Sequence, residues 1–153
     1  MFDGVVSTWV LEHLKDPQVF FCEAYRVVND GGFLVVTVPF IQHQHGSPFD
    51  YWRFTDTALF HLSRSAGFKD VEVKKVGGTP FLCVIALLWP FFRIPVLGVS
   101  MALVALSMDY IVVKVTHFLK KGVQLVESYP ISYVVYARKE RKNEGCVLSR
   151  TRR

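Results

Sequence analysis

The sequence predicts an α/β fold in which strands and helices alternate along the chain. Residues 2–7 are apolar and rich in valine, as in a short buried strand. A helix is predicted to follow, because Asp16 is a good N-cap residue and Pro17 a good first helical residue. Residues 33–39 are apolar on both faces, as a central parallel strand should be. Strand, helix and strand in this order predict a crossover unit of a parallel sheet.

Turn and cap residues delimit the other predicted elements. The first helix is predicted to run to about Val28, because the glycines of the NDGG sequence at 29–32 tolerate the left-handed conformation at a helix end. A second helix is predicted to start at a cap formed by Thr55 or Asp56 and to end at Gly67. Four strands are predicted in all, at residues 2–7, 33–39, 69–76 and 131–138.

A long apolar segment separates the last two predicted strands. It contains uncharged runs at 81–92 and 94–108, divided by Arg93. Neither run reaches the roughly 20 residues that a bilayer-spanning helix needs, and a central arginine costs a joined span about 2.5–3.5 kcal/mol. We expect a helical insert at 79–121 whose two helices fold back on each other or lie in a membrane interface, with peripheral membrane contact through residues 81–119. The alternatives are helices that cover the sheet and, third, one membrane span.

Length and composition indicate a single domain with a basic tail. The chain has 153 residues, of which 51% are hydrophobic, and a net charge of +5. Residues 137–153 hold seven basic and two acidic residues, whereas residues 1–136 hold eleven of each. We expect a partial domain at 1–139, a disordered basic tail at 140–153 and no specific nucleic-acid partner. The three scattered cysteines form no metal-binding or disulfide pattern, which favours a reducing, cytoplasmic location.

Residues 2–40 resemble the second half of a class I S-adenosylmethionine-dependent methyltransferase of the type 11 group. The marks of that group are an fDvv strand, an LEH sequence, a helix ending in E..RV, a GG turn and an apolar strand. They fall on Asp3, Leu11, Glu12, His13, Glu23, Arg26, Val27, Gly31 and Gly32. The GF.DVEV sequence at 67–73 matches the next strand of the family, and residues 45–55 resemble a loop of one subgroup. The resemblance covers about residues 2–78 and 129–139.

The resemblance implies an incomplete Rossmann-like methyltransferase sheet with the last four of seven strands, the final one antiparallel between its neighbours. It implies S-adenosyl-L-methionine as cofactor and methyl transfer to a small or lipid-linked acceptor. In the family, a glycine-rich loop and an acidic residue that hold the cofactor precede this region, so we expect cofactor binding to need an N-terminal half. The alternative is a truncated, inactive remnant that acts as a membrane-associated or interaction protein, with dimerisation through an exposed sheet edge.

Ser7, Thr8 and Trp9 lie at the carboxyl end of the first predicted strand, where pockets of parallel sheets form. By resemblance, this segment lines the cofactor site, with backbone groups near the amino acid part and a side chain near the adenine. The alternative is that Trp9 is a core aromatic and that Ser7 and Thr8 cap the next turn. Glu12 and His13 could form an acid/base couple, but Glu12 is interpreted as the start of a helix. His13 is a candidate cofactor-binding residue.

The loop HGSPFDYWRFT follows the second strand and should overhang the same pocket. His45 is the candidate general base, because imidazole exchanges protons near neutral pH. Asp50, Tyr51 and Arg53 complete the candidate catalytic set, with Asp50 and Arg53 holding the loop shut and Tyr51 facing the substrate. The alternative is a structural latch, in which Asp50 caps a turn and pairs with Arg53.

No metal site is predicted. His43 and His45 offer imidazole nitrogens and Asp50 offers a carboxylate, but a strong third ligand at the spacing of known metal sites is not evident. The histidines are therefore assigned to proton transfer or to structure.

Overall fold

The computed structural model describes residues 1–46, 49–77, 79–88, 95–118 and 129–141, and its centre is a four-stranded sheet. The strands are β1 (Phe2–Thr8), β2 (Val28–Pro39), β3 (Asp70–Val76) and β4 (Ser132–Arg138). The helices are α1 (Pro17–Val27), α2 (Asp56–Ser65), α3 (Pro80–Leu88) and α4 (Pro95–Phe118), and a short 3-10 turn spans Leu11–His13. The strand order is β1-β2-β4-β3. β1 is parallel to β2, and β4 is antiparallel to β2 and β3, so the predicted strands and their topology are confirmed.

The predicted helix caps are also present. The Asp16 side chain accepts a hydrogen bond from the Gln18 amide at 3.0 Å, and Pro17 is the first residue of α1. The Thr55 hydroxyl accepts one from the Ala58 amide at 3.2 Å and so caps α2. Helix α2 ends just before Gly67, whose φ is +112°. These helix starts follow from local hydrogen bonds, which is why single residues predict them.

The NDGG sequence does not end α1 as predicted. Val28 is already extended, with φ −75° and ψ 136°, and begins β2 directly. Residues 29–32 belong to the first part of β2, where the register against β1 shifts between Phe2 and Gly4. Gly31, at φ +83°, donates its amide to the Lys139 carbonyl at 2.9 Å. Gly31 is therefore part of the irregular start of β2 and not a helix terminator, because its amide bonds to the residue that follows β4.

The core lies on one face of the sheet, under α1 and α2. Alternate residues of β2 and β4 are buried there, and the cluster comprises Leu11, Phe21, Ala24, Leu34, Val36, Val38, Phe54, Leu59, Phe68, Tyr133, Val135 and Ala137. On the other face, Phe33 and Tyr136 are exposed. Among the described strands β1 pairs only with β2, and Phe2 and Val6 are 61% and 65% exposed. The predictions of a buried β1 and a doubly covered β2 are therefore wrong for the described residues.

The apolar insert forms two helices that pack on each other, as predicted. The Asp109 carboxylate of α4 accepts hydrogen bonds from the Phe81 and Leu82 amides of α3, at 3.2 and 3.0 Å, and from the Thr79 hydroxyl. In the described part of the insert the main contacts of α3 are with α4 and not with the sheet, so the sheet-covering alternative is not supported. Residues 98–115 are long and apolar enough to cross a membrane, and 11% of that stretch is buried.

Some predictions concern residues outside the described ranges. They are the helix divider Arg93, the end of the insert at 119–121 and the basic tail from residue 142 onward.

Candidate functional site

The candidate site lies where β1 and β2 end side by side. Thr8 pairs with Thr37 in the parallel register, and the Trp9 amide donates to the Thr37 carbonyl at 3.0 Å. Trp9 has φ +54° and is the one non-glycine residue with positive φ in the described ranges. This conformation costs a bulky residue about 1–2 kcal/mol, and such strain concentrates at functional sites. The Trp9 ring is 43% exposed, so the alternative that it is a core aromatic is wrong.

The 3-10 turn after Trp9 places a carboxylate inside the protein. Leu11 is fully buried in the core and anchors the turn. Glu12 is also fully buried, and neither carboxylate oxygen has a hydrogen-bond partner among the described residues. Buried polar groups are usually paired, so an unpaired carboxylate needs an explanation.

The loop after β2 folds back onto this turn. The Tyr51 and Trp52 amides donate to the Glu12 carbonyl at 2.8 and 3.3 Å, and the Trp52 indole donates to the Leu14 carbonyl at 2.9 Å. Gly46, at φ +70°, lies so close to the His13 ring that a Cβ there would overlap it. These contacts confirm that the loop lies over the end of β1.

Asp50 and Arg53 form a charged pair that holds the loop in shape. The Arg53 guanidinium donates to both Asp50 oxygens, at 2.6 and 2.8 Å, and to the His43 carbonyl at 3.2 Å. Asp50 in turn accepts from the His45 amide at 2.9 Å. The hydrogen bonds from Arg53 hold the pKa of Asp50 well below its usual range, and Asp50 raises the pKa of Arg53. Both groups stay charged at neutral pH and fix the backbone of His45.

His13 and His45 meet at the Glu12 carboxylate. The Nε2 atom of each imidazole lies 3.7 Å from Oε1 of Glu12, and the ring centroids are 5.3 Å apart. The His45 ring also lies edge-on to Trp9, at 6.0 Å between centroids. Trp9 and His45, predicted to share one site from two separate strands, are therefore neighbours.

The other predicted site residues lie around this cluster. Ser7 is half-buried and Thr8 exposed at the end of β1. Tyr51 stacks on Phe49, with centroids 5.7 Å apart, and faces solvent. A shallow hollow of about 290 Å³ is lined by Gln42, Gln44, Asp50, Tyr51, Trp52 and Arg53. A larger hollow, of about 980 Å³, lies at the opposite end of the strands beside Asp30 and Lys139, away from the cluster.

Sequence reasoning considered Glu12 in an acid/base couple with His13 but favoured a helix start and left it out of the candidate site. Glu12 does lie in the first turn of a 3-10 helix, as predicted. A helix start, however, does not predict that the carboxylate is buried beside two histidines. The metal set considered from the sequence, with His43 and Asp50, is not assembled, because Asp50 is bound by Arg53. Instead Glu12, His13 and His45 place their ligand atoms within 4.8 Å of one another.

Comparisons with known proteins agree with this architecture. A family model described as a methyltransferase domain matches residues 1–36, which include β1, α1 and the start of β2. No curated protein matches the chain. Among solved structures, phosphoethanolamine N-methyltransferase 2 of Haemonchus contortus, in complex with S-adenosyl-L-methionine, has a TM-score of 0.52 at 20% identity. The described fold matches part of a class I methyltransferase fold.

Two other methyltransferase structures are similar to the chain. A methyltransferase from Archaeoglobus fulgidus has a TM-score of 0.52 at 16% identity, and a possible histamine N-methyltransferase from Thermotoga maritima one of 0.51 at 16%. The three matches cover 90–92% of this chain. The chain in turn spans 34%, 56% and 59% of the Haemonchus, Thermotoga and Archaeoglobus proteins. The predicted resemblance and the prediction of part of a Rossmann-like sheet are thus confirmed.

The residues at the strand ends fit part of an S-adenosylmethionine site. Besides the carboxylate of Glu12, the Thr37 hydroxyl is buried with no hydrogen-bond partner in the described part of the chain. Thr37 lies on β2 opposite Thr8 of β1, and its carbonyl accepts the hydrogen bond from the Trp9 amide. An unpaired hydroxyl and an exposed aromatic ring at the carboxyl edge suit a ligand that has both polar and flat aromatic parts.

Proposed function

We propose that this chain supplies part of the active site for S-adenosylmethionine-dependent methyl transfer to a small or lipid-linked acceptor. The observation that supports the proposal best is the meeting of Trp9 and His45 at the shared carboxyl edge of β1 and β2. Ligands of open α/β sheets bind at such edges. The family model at residues 1–36 and the similar methyltransferase structures agree with the proposal.

Residues at the end of β1 would hold the cofactor. The backbone of Ser7 and Thr8 would contact its amino acid part, and the exposed Trp9 ring would stack on its adenine. His13 would close the site from the following turn, where its Nδ1 lies 2.7 Å from the Phe49 carbonyl. When bound, the cofactor supplies a methyl group on a positively charged sulfur.

The chain would contribute positioning and proton removal. In methyl transfer, the acceptor atom bonds to the methyl carbon as the carbon–sulfur bond breaks, so the three atoms must be in line. The acceptor's proton would pass to Nε2 of His45, because Nδ1 of the same ring lies 3.2 Å from the His43 carbonyl and is placed to donate to it. The Glu12 carboxylate, 3.7 Å from Nε2, would stabilise the charged imidazole.

The loop pair Asp50 and Arg53 would act by positioning His45, since the carboxylate holds the His45 amide. Tyr51, exposed beside the hollow of the loop, would contact the acceptor. Of the four predicted catalytic residues, His45 and Tyr51 would therefore touch the acceptor, whereas Asp50 and Arg53 would hold the loop in shape.

The insert favours a lipid-linked acceptor. Helix α4 has 24 residues, about 36 Å at 1.5 Å per residue, and exposes apolar side chains over the surface that does not pack on α3. An apolar surface of this extent marks an interaction site. We therefore propose that α4 contacts a membrane, which would present the acceptor to the loop. The exposed edge of β1 would accept a further strand, from a second copy or from an N-terminal half.

Cofactor binding is tested by calorimetric titration of the full chain with S-adenosylmethionine. We expect micromolar affinity that falls at least tenfold in Trp9→Gly, which removes the ring and tolerates the left-handed backbone. Phe60→Ala, which removes an exposed aromatic ring on α2, is the matched control and should bind like wild type. A flat trace for the wild-type chain would reject cofactor binding by residues 1–153 without an N-terminal half and would favour the inactive remnant.

Membrane contact is tested by flotation with phosphatidylcholine and phosphatidylglycerol vesicles. The wild-type chain should float, and Val104→Glu, which places a charge on the exposed surface of α4, should reduce the floating fraction. The control is Lys74→Glu on β3. The neighbouring Val73 is not suitable for this purpose, because it packs against the core. Equal flotation of wild type and Val104→Glu would place the membrane contact elsewhere.

A further inference from the structure

We propose that Glu12, His13 and His45 form a binding site for a divalent transition-metal cation, with Zn²⁺ as the probe. Cation binding at these residues does not depend on the proposed methyl transfer. Only its consequence for the reaction, described below, rests on that function.

The first argument is the state of the Glu12 carboxylate. It is fully buried, and neither oxygen has a hydrogen-bond partner among the described residues. An isolated buried carboxylate is unfavourable unless a cation or several donors neutralise it. The Nε2 atoms of His13 and His45 each lie 3.7 Å from one of its oxygens. A shared cation would neutralise the carboxylate and use all three groups.

The second argument is the orientation of the two imidazoles. Nδ1 of His13 lies 2.7 Å from the Phe49 carbonyl, and Nδ1 of His45 lies 3.2 Å from the His43 carbonyl. A carbonyl only accepts hydrogen bonds, so each Nδ1 is placed to donate and each Nε2 is left with its lone pair toward Glu12. Metal-binding histidines are oriented in this way by a carbonyl or carboxylate behind the ring.

The third argument is distance. Both Nε2 atoms lie 3.7 Å from Oε1 of Glu12, beyond the range of a hydrogen bond. Two ligands that are each about 2.1 Å from a tetrahedral zinc ion lie about 3.4 Å apart. Both distances to Glu12 are therefore within a few tenths of an ångström of the separation that a shared cation would impose, and all three ligand atoms lie within 4.8 Å of one another.

The donor set indicates which cations are suitable. Two imidazoles and one carboxylate, with a position left open, form the ligand set of many catalytic zinc sites and of non-haem iron sites. Mg²⁺ prefers oxygen ligands and should bind much more weakly. The site is held by the loop, since Gly46 lies against the His13 ring and Asp50 holds the His45 amide.

A cation here would change the role of His45. Its Nε2 lone pair would bind the metal and could not accept the acceptor's proton. The open coordination position would instead bind the acceptor atom and lower its pKa, so that its proton is released to solvent water. This consequence rests on the proposed function, whereas the binding site does not.

Metal binding is tested with the purified full chain after treatment with a chelator. We expect one equivalent of Zn²⁺ by calorimetry, and visible absorption on adding Co²⁺ that Zn²⁺ abolishes. Glu12→Gln and His45→Asn should each weaken Zn²⁺ binding at least tenfold, and Mg²⁺ should bind at least tenfold more weakly than Zn²⁺. His43→Asn, in the same loop, and Cys22→Ser, which removes an exposed thiol, are controls and should bind like wild type.

Circular dichroism establishes that Glu12→Gln is folded, which its equal size favours. Gly46→Ala retains all three ligands but displaces the loop from His13, and it should also weaken binding. The inference is overturned if the wild-type chain binds no Zn²⁺, or if Glu12→Gln and His45→Asn bind it as tightly as the controls. Zn²⁺ binding without S-adenosylmethionine binding would uphold this inference independently of the proposed function.

Discussion

Glu12 at the edge of the sheet and Asp109 in the helical insert are both buried carboxylates with opposite surroundings. Asp109 is 4% exposed and accepts hydrogen bonds from the Thr79 hydroxyl and two amides of α3. Glu12 is fully buried, and its oxygens have no such donors among the described residues. A carboxylate whose acceptor positions are filled at a helix start has a structural role. A carboxylate left unpaired between two imidazoles is placed for a ligand or a proton.

The two regions are also held together differently. The edge site is fixed by directed polar contacts, in which Asp50 and Arg53 shape the loop and the loop amides bind the turn. In the described part of the insert, α3 and α4 are held by packing against each other and by the hydrogen bonds to Asp109. The edge therefore has a defined geometry that suits chemistry, whereas the insert presents an apolar surface that suits a membrane or a protein partner.

The largest expected effect is at the loop pair. In Arg53→Ala, the nearly buried Asp50 loses its counter-charge, and we expect the free energy of unfolding to fall by about 3 kcal/mol. Urea unfolding followed by circular dichroism measures this. Arg26→Ala removes a fully exposed arginine from its pair with Glu23 and should change the free energy of unfolding far less, because water screens such a pair. Equal losses in the two variants would mean that the loop pair does not shape the site.

The next effect is at the insert. Asp109→Ala leaves the first amides of α3 without their acceptor, and we expect a loss of about 2 kcal/mol in the stability of the helix pair. Hydrogen exchange at the Phe81 and Leu82 amides should become faster. Asp109→Asn retains one acceptor oxygen, so its loss should be smaller. If exchange stays slow in Asp109→Ala, apolar packing alone holds the two helices.

Glu12→Gln should stabilise the chain, in contrast to Arg53→Ala and Asp109→Ala. In the metal-free chain this change removes an unpaired buried charge, and we expect the free energy of unfolding to rise by about 1 kcal/mol. Comparison of urea unfolding with and without Zn²⁺ makes the test sharper, because Zn²⁺ should stabilise wild type and not the variant. A loss of stability as large as that of Asp109→Ala would show that Glu12 has a structural role after all.

The smallest effect is on thiol chemistry. Burial, assisted by the charge of Asp109, raises the pKa of the Cys83 thiol, so less reactive thiolate is present at a given pH. We expect Cys83 to react with iodoacetamide about tenfold more slowly than the exposed Cys22, and to need a higher pH. Peptide mapping by mass spectrometry follows both residues in one sample. Similar rates at both positions would indicate that the insert opens readily.

The amino-acid sequence determined the elements whose causes are local. Asp16 and Thr55 predict helix starts because each caps amides of its own first turn. The apolar run at 33–39 predicts β2, and the valines of β3 alternate with charged residues as expected for a strand with one exposed face. The sequence motifs around Glu12 and His13 also predict the fold locally, because the methyltransferase resemblance there depends on one continuous segment of the chain.

Only the tertiary structure decided which faces are covered and which side chains meet. The one-sided burial of β2 depends on where α1 and α2 pack, and the irregular start of β2 on a hydrogen bond from Gly31 to a residue beyond β4. Glu12 and His45 are brought together by the parallel pairing of β1 with β2 and by the fold of the loop. Contacts between distant segments depend on relative placement in space, which local residue patterns do not specify.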